Sequence, residues 1–192
     1  MASALANDYP AQFDVEYAEQ RDRLNVFFRL VLVIPIAILS ALVTAAAQNL
    51  AFAIALMLLF RNRYPRVWFD WYLYINQFTN RVNAYAMLLV DEYPSTTDQQ
   101  RVTTTAQLEE GTLSRWLPLV KWFLAIPHYI VLFFLSIGAF FAVVVAWFAI
   151  LFTGRYPQGL FDFVVGVGRW ALRVNASAFL LVTDRYPPFS LT

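Results

Sequence analysis

Two stretches without a charged side chain dominate the chain: residues 30–60 and 122–154 hold no Asp, Glu, Lys or Arg. The first would run about 46 Å as a helix at about 1.5 Å per residue, whereas a hydrocarbon core is about 30 Å thick and is crossed by about 20 residues. That is too long for one straight span and barely enough for two. The pattern therefore predicts a helical hairpin in each run. In the first, an arm starts near Arg23, Pro35 kinks it, and the tip lies at residues 44–49, where Gln48 and Asn49 are the strongly polar side chains. Basic residues flank the run, with Arg21, Arg23 and Arg29 before it and Arg61, Arg63 and Arg66 after it. Short basic flanks stay on the cytoplasmic side, so both ends of the hairpin are expected on one face; the rival reading, a single kinked span, would leave one basic cluster on the opposite face.

A mixed segment follows each run. Residues 68–90 interleave Asp70, Asn76, Gln77, Asn80, Arg81 and Asn83 with Trp68, Phe69, Trp71, Tyr72, Tyr74, Phe78 and Tyr85. This suits an amphipathic helix in the headgroup zone, with ring bodies in acyl chains and polar tips wet. Pro65 and Pro157 stand where these helices start, a position that tolerates a missing N–H. Phe13, Val15 and Tyr17 alternate with Asp14 and Glu16, the period of a short strand. A second strand is expected at residues 101–107 of the polar linker 95–112, paired with the first.

The two halves repeat. Adding 92 carries Arg23 onto Arg115, Arg29 onto Lys121, Ile34-Pro35 onto Ile126-Pro127 and Arg63-Tyr64-Pro65 onto Arg155-Tyr156-Pro157. The same shift carries Phe69-Asp70 onto Phe161-Asp162 and Arg81-Val82-Asn83-Ala84 onto Arg173-Val174-Asn175-Ala176. Leu88-Leu89-Val90 falls on Leu180-Leu181-Val182, after which one extra residue shifts the closing Tyr-Pro. Shared apolar composition does not align prolines, arginines, aspartates and asparagines in one register. We divide the chain into residues 1–94 and 95–192, two tandem copies in one membrane domain. With an even number of crossings per copy, the repeats are expected to be parallel about an axis along the membrane normal.

Composition narrows the function. At 60% hydrophobic and 14% charged residues, the chain exceeds what a globular core can hide. A net charge of +1 offers no basic face for nucleic acid. With 0 Cys, disulfides, iron–sulfur clusters and thiol nucleophiles are excluded. The polar, acidic residues 1–23 do not resemble a cleavable signal, so the first apolar run is expected to direct its own insertion.

The segments Lys121-Trp122-Phe123-Leu124-Ala125-Ile126-Pro127-His128 and Gly154-Arg155-Tyr156-Pro157 through Asp184-Arg185-Tyr186-Pro187-Pro188-Phe189 resemble a family of prokaryotic membrane proteins known only as a domain of unknown function. The resemblance covers essentially the whole chain. The first copy departs from it at Arg61-Asn62, against Thr153-Gly154, and at Ile36, against His128. The resemblance implies residence in a prokaryotic inner membrane and carries no activity.

Candidate polar residues are few. His128, the single histidine, follows Pro127 with no carboxylate near it in sequence, which favours a headgroup or helix-end role over a base or metal ligand. Asp70 and Asp162 are expected in the first turns of their helices, where a carboxylate complements the positive helix end; at membrane depth they would instead form a proton or cation site. Asp162, Arg169 and Arg173, spaced by seven and four, share one helix face that is expected to meet headgroups, with Arg155 nearby. Gly159, Gly166 and Gly168 lack the strand and Lys-Ser/Thr of a phosphate loop and read as close-packing positions.

These observations predict an all-α membrane protein of two parallel repeats, each a transmembrane or re-entrant hairpin plus an amphipathic interfacial helix, with short cytoplasmic strands. No catalytic residue, cofactor or metal is expected. The expected partners are the bilayer, including anionic lipids, and a larger membrane complex or further copies of the chain. Both termini and the linker are expected in the cytoplasm. The expected role is a scaffold or accessory subunit; the alternative is a small transporter or channel using Asp70, Asp162, Arg81 and Arg173 at the repeat interface.

Overall fold

The computed structural model describes residues 8–109, 111 and 113–192. Its elements are β1 (Ala11–Val15), α1 (Arg23–Arg61), α2 (Arg66–Ala86), β2 (Val102–Ala106), α3 (Leu117–Leu124), α4 (Ile126–Thr153) and α5 (Gln158–Ala178). Each copy thus holds one strand, one long apolar helix and one amphipathic helix, the long helix of the second copy being divided at Ala125 beside Pro127.

The expected hairpins are absent. α1 is one helix of 39 residues, about 58 Å long. The residues assigned to a tip are Thr44-Ala45-Ala46-Ala47-Gln48-Asn49, and alanine is the strongest helix former. Asn49 donates to the Ala45 carbonyl one turn back at 2.9 Å, and Thr44 meets the Thr79 hydroxyl at 3.2 Å. Polarity at this point serves packing and does not break the helix. Asp22 caps the start, accepting from the amides of Leu24 and Asn25. Asn62 at φ 49° ends α1, as Gly154 at φ 74° ends α4. The same left-handed cap therefore recurs 92 residues on, filled by the two residue types that adopt it most readily.

One narrow stripe of each long helix is buried: Ile36, Ser40, Ala47, Ile54 and Leu58 on α1, and His128, Ala139, Ala146 and Ile150 on α4. Ile36, Ala47, Ile54 and Leu58 lie 92 residues before their α4 counterparts. The remaining faces carry exposed apolar side chains, among them Leu30, Ile38, Leu42, Phe52, Phe133, Phe141, Val145 and Phe152.

The long helices run antiparallel. Arg21 N–H donates to the Gly154 carbonyl at 2.9 Å and the Trp147 indole to the Val26 carbonyl at 3.1 Å, while at the other end Leu58 packs in a cluster with Leu181 and Leu113. α2 packs along α1 and α5 along α4, and the strands pack on α2 and α5. The result is three layers: sheet, amphipathic helices, long helices.

β1 and β2 form an antiparallel ladder, Ala11 opposite Ala106 and Val15 opposite Val102. Each strand lies on the amphipathic helix of the other copy, β1 on α5 and β2 on α2. The extra residue of the second copy lies earlier than the ungapped register implies. Leu88 and Leu181 share a left-handed conformation (φ 63° and 55°), so the insertion follows α5 directly. The Ala84 carbonyl accepts from Leu89 N–H, while its counterpart Ala176 accepts from Val182 N–H, one residue further on. Asp70 and Asp162 fall on the fifth helical residue, beyond the first turn where they were expected.

Candidate functional site

The repeat sets polar groups at corresponding places in the two copies, and cavities lie between them. At the start of each long helix a buried cation is tied to the chain that follows the amphipathic helix. Arg29, 2% exposed, donates to the carbonyls of Tyr85 and Val90 (2.8 Å each) and pairs with Asp91 at 3.0 Å, its guanidinium 3.7 Å from the centre of the Tyr85 ring. Lys121 repeats this with the Thr183 carbonyl at 2.7 Å and Asp184 at 2.8 Å. In the sequence both had read only as basic flanks. The available signal was an acidic residue at the same place after each amphipathic helix.

The expected headgroup stripe on α5 does not exist as one surface. Asp162 is exposed, Arg169 donates to the Phe13 carbonyl at 3.1 Å and pairs with Asp14, and Arg173 is 2% exposed. Arg173 donates to the carbonyls of Ser190 and Thr192, so it anchors the C-terminal segment. Burial lowers its pKa, and the like charge of Arg169 adds to this. Its counterpart Arg81 holds the Ser95 carbonyl at 2.6 Å. Asp70 is exposed. Arg155 forms an exposed bridge to Glu19 at 3.2 Å.

His128 is fully buried, against the expectation of a headgroup role. Its Nδ1 accepts from the Trp170 indole at 3.0 Å, and its ring stacks on Phe189 at 4.0 Å beside Tyr186. Accepting at Nδ1 leaves the proton of the neutral ring on Nε2, which has no partner among the described residues. The Gly-Arg-Tyr-Pro motif has a structural use: Gly154 makes the left-handed cap and Tyr156 is buried, its carbonyl accepting from the Tyr17 hydroxyl at 2.7 Å. Burial raises the Tyr156 phenol and lowers the Arg21 guanidinium beside it.

Between the copies lies a cavity of about 430 Å³, roofed by Phe13 and walled by all four main helices. Its lining is pseudo-symmetric: Thr44 and Ser136, Ala47 and Ala139, and Asn83 and Asn175 are each 92 residues apart. Asn175 donates across the axis to the Asn76 amide oxygen at 2.8 Å. The polar lining consists of amides and hydroxyls; Asp70, Arg81, Asp162 and Arg173 are not part of it. A second space of about 520 Å³, lined by apolar residues and Arg29, adjoins it and shares Met87, Ser136, Ala139 and Val167.

No curated protein and no solved structure matches the chain. A family model, described as Domain of unknown function (DUF4389), matches twice, over residues 23–97 and 116–190. Each match takes in a long helix, its amphipathic partner and the closing Tyr-Pro, and leaves the strands outside. The chain belongs to this family and carries two copies of its domain.

Proposed function

We propose that this is a non-catalytic membrane scaffold whose two long helices lie within one leaflet of a bilayer, both ends of each helix turned to the same face. The carrying observation is the position of the sheet. β1 and β2 cover the middle of α2 and α5, on the side away from α1 and α4. Were the long helices to cross the bilayer upright, the open edges of this sheet, with Asp14, Glu16 and Arg101, would stand at mid-depth, where unpaired backbone groups each cost several kcal/mol. Laid flat, the three layers match the three zones. The apolar faces of α1 and α4 meet acyl chains, the aromatic and polar α2 and α5 meet headgroups, and the sheet meets water. The basic residues at both ends of α1 then reach one surface, as their placement in the sequence requires.

This reading keeps the same-face expectation without a hairpin and sets the repeat axis along the membrane normal. A transporter path through Asp70 and Asp162 finds no support, because both side chains are exposed away from the shared cavity. The setting of His128 favours a non-catalytic role, since its ring is held by Trp170, Tyr186 and Phe189 with no carboxylate against it among the described residues.

The chain has no cysteine, so single cysteines at Gln20, Leu42, Arg63 and Thr105 report cleanly. In oriented membrane vesicles an impermeant thiol reagent is expected to label Gln20→Cys, Arg63→Cys and Thr105→Cys from the same side and Leu42→Cys from neither. Labelling of Gln20→Cys and Arg63→Cys from opposite sides means that α1 crosses the bilayer. Failure of the protein to float with vesicles defeats bilayer residence itself.

A further inference from the structure

We infer that the cavity on the repeat axis, with the apolar groove beside it, is a binding site for an uncharged amphiphile: a head bearing hydroxyl or amide groups and one acyl chain. The chemistry of the two spaces selects this ligand. The axial cavity has no charged lining residue, yet its polar groups retain hydrogen-bonding capacity. The Gln48 and Asn83 amides make no hydrogen bond among the described residues, and Asn175 uses its N–H on Asn76, leaving its amide oxygen free to accept. A charged head would enter a partly enclosed space with no counter-ion, at a large desolvation cost. A neutral head with donors and acceptors meets groups able to answer it.

The groove supplies the place for the chain. Leu30, Leu88, Phe140, Val143 and Phe148 line it, and it meets the axial cavity at Ser136 and Ala139. Its one cation, Arg29, is already committed to two carbonyls, Asp91 and the Tyr85 ring. Both spaces are of the size that ligand sites typically have, about 300–1,000 Å³.

The copies differ where a single ligand would require it. The counterparts of Leu30 and Met87 are Trp122 and Phe179, and Trp122 donates to the Ala178 carbonyl at 2.8 Å within a packed cluster that includes Phe179. Larger side chains thus occupy the symmetry-related position, giving a site with a head on the axis and a chain on one side. The surrounding acyl region of the proposed function would deliver such a ligand, but the site itself does not depend on how the helices lie in a bilayer.

The test uses the full chain in phosphocholine micelles, whose charged heads do not compete for the site and which solubilise the chain whatever its orientation in a membrane. The probe is a monoacylglycerol with a photoreactive diazirine in its chain, and the label is located by peptide mass spectrometry. We expect labelling of residues 140–148, competed by unlabelled monoacylglycerol but at least about tenfold less well by the fatty acid anion of equal length, which carries the charge the cavity cannot answer. Ser136→Phe, at an exposed position, closes the junction without disturbing the core, and Asn83→Leu removes an uncommitted amide. Each is expected to cut labelling about tenfold, on the order of one or two lost hydrogen bonds or a blocked passage, with helical content unchanged. Labelling spread over the outer faces of α1 and α4 and indifferent to both variants, or equal competition by the anion, overturns the site. Micelles also separate the two proposals: failure here with one-sided cysteine labelling in vesicles removes the ligand and leaves the scaffold.

Discussion

Phe13 stands opposite Thr104 at the centre of the β ladder, and each offers its carbonyl to a side chain of the other copy. Arg169 Nε donates to Phe13 at 3.1 Å and Gln77 Nε2 donates to Thr104 at 3.1 Å. Gln77 and Arg169 are 92 residues apart, so the pseudo-twofold axis passes between the two strand residues. The strands are exchanged: the strand of each copy caps its neighbour's amphipathic helix. Phe13→Ala removes a core side chain that also roofs the cavity, and should lower stability by about 3 kcal/mol. Unfolding in detergent, followed by tryptophan fluorescence, measures it.

Glycine at position 166 is required by backbone, whereas at position 168 it faces a movable ring. A Cβ on Gly166 would lie 2.7 Å from the Leu191 carbonyl oxygen, and one on Gly168 would lie 2.8 Å from Cε1 of Phe13. Gly166→Ala is expected to cost about 1–3 kcal/mol by overpacking and to free the C-terminal segment to carboxypeptidase. Gly168→Ala should be milder, since a ring turns more easily than a chain moves. Equal costs would contradict this ordering.

The two buried cations predict unequal losses. Removing Asp91 leaves Arg29 with two carbonyls and the Tyr85 ring, whereas removing Asp184 leaves Lys121 with the Thr183 carbonyl and the more distant charge of Glu109. Breaking a fully buried pair costs about 3–5 kcal/mol, and the aspartates are 27% and 21% exposed. We expect Asp184→Ala to cost about 3 kcal/mol and Asp91→Ala about half that, the remaining partners making the difference. Denaturant titration of both variants decides the order.

The caps of the long helices give the fourth prediction. Gly154→Ala places a Cβ in the left-handed region, which costs about 1–2 kcal/mol, and brings it within 3.2 Å of the Arg23 guanidinium. Asn62→Gly should be neutral or slightly stabilising, because Asn62 already holds φ 49°. A lower melting temperature for Gly154→Ala and an unchanged or higher one for Asn62→Gly are the expected outcome.

Arg173 replaces an earlier expectation with a sharper one. As a headgroup contact, Arg173→Gln would weaken membrane binding and leave folding intact. As the buried anchor of Ser190 and Thr192, it should destabilise the chain by about 1.5–3 kcal/mol and expose the C-terminal segment to proteolysis, with flotation unchanged.

Much of this protein was legible in its sequence because it depends on local pattern. Charge-free runs mark the two long helices, the period of two marks the first strand, and the register of prolines, arginines and asparagines marks the duplication. Each is a property of neighbouring residues or of copies of the same text. Helix continuity does not follow from length against bilayer thickness; it follows from local propensity, since Ala45, Ala46 and Ala47 supply no break. The expected cytoplasmic placement of Met1 and Thr112 falls on residues outside those described.

What only the tertiary structure decided is which polar groups meet. Arg29 and Asp91 are 62 residues apart, Phe13 and Arg169 are 156 apart, and His128 meets Trp170 across 42. No periodicity encodes such pairings, because they arise when amphipathic faces are stacked and strands are exchanged. The axial cavity belongs to the same class. Asn83 and Asn175 are aligned by the sequence, but the space they line exists only because α2 and α5 are stacked on α1 and α4, where Asn175 reaches Asn76 and the remaining lining side chains leave room.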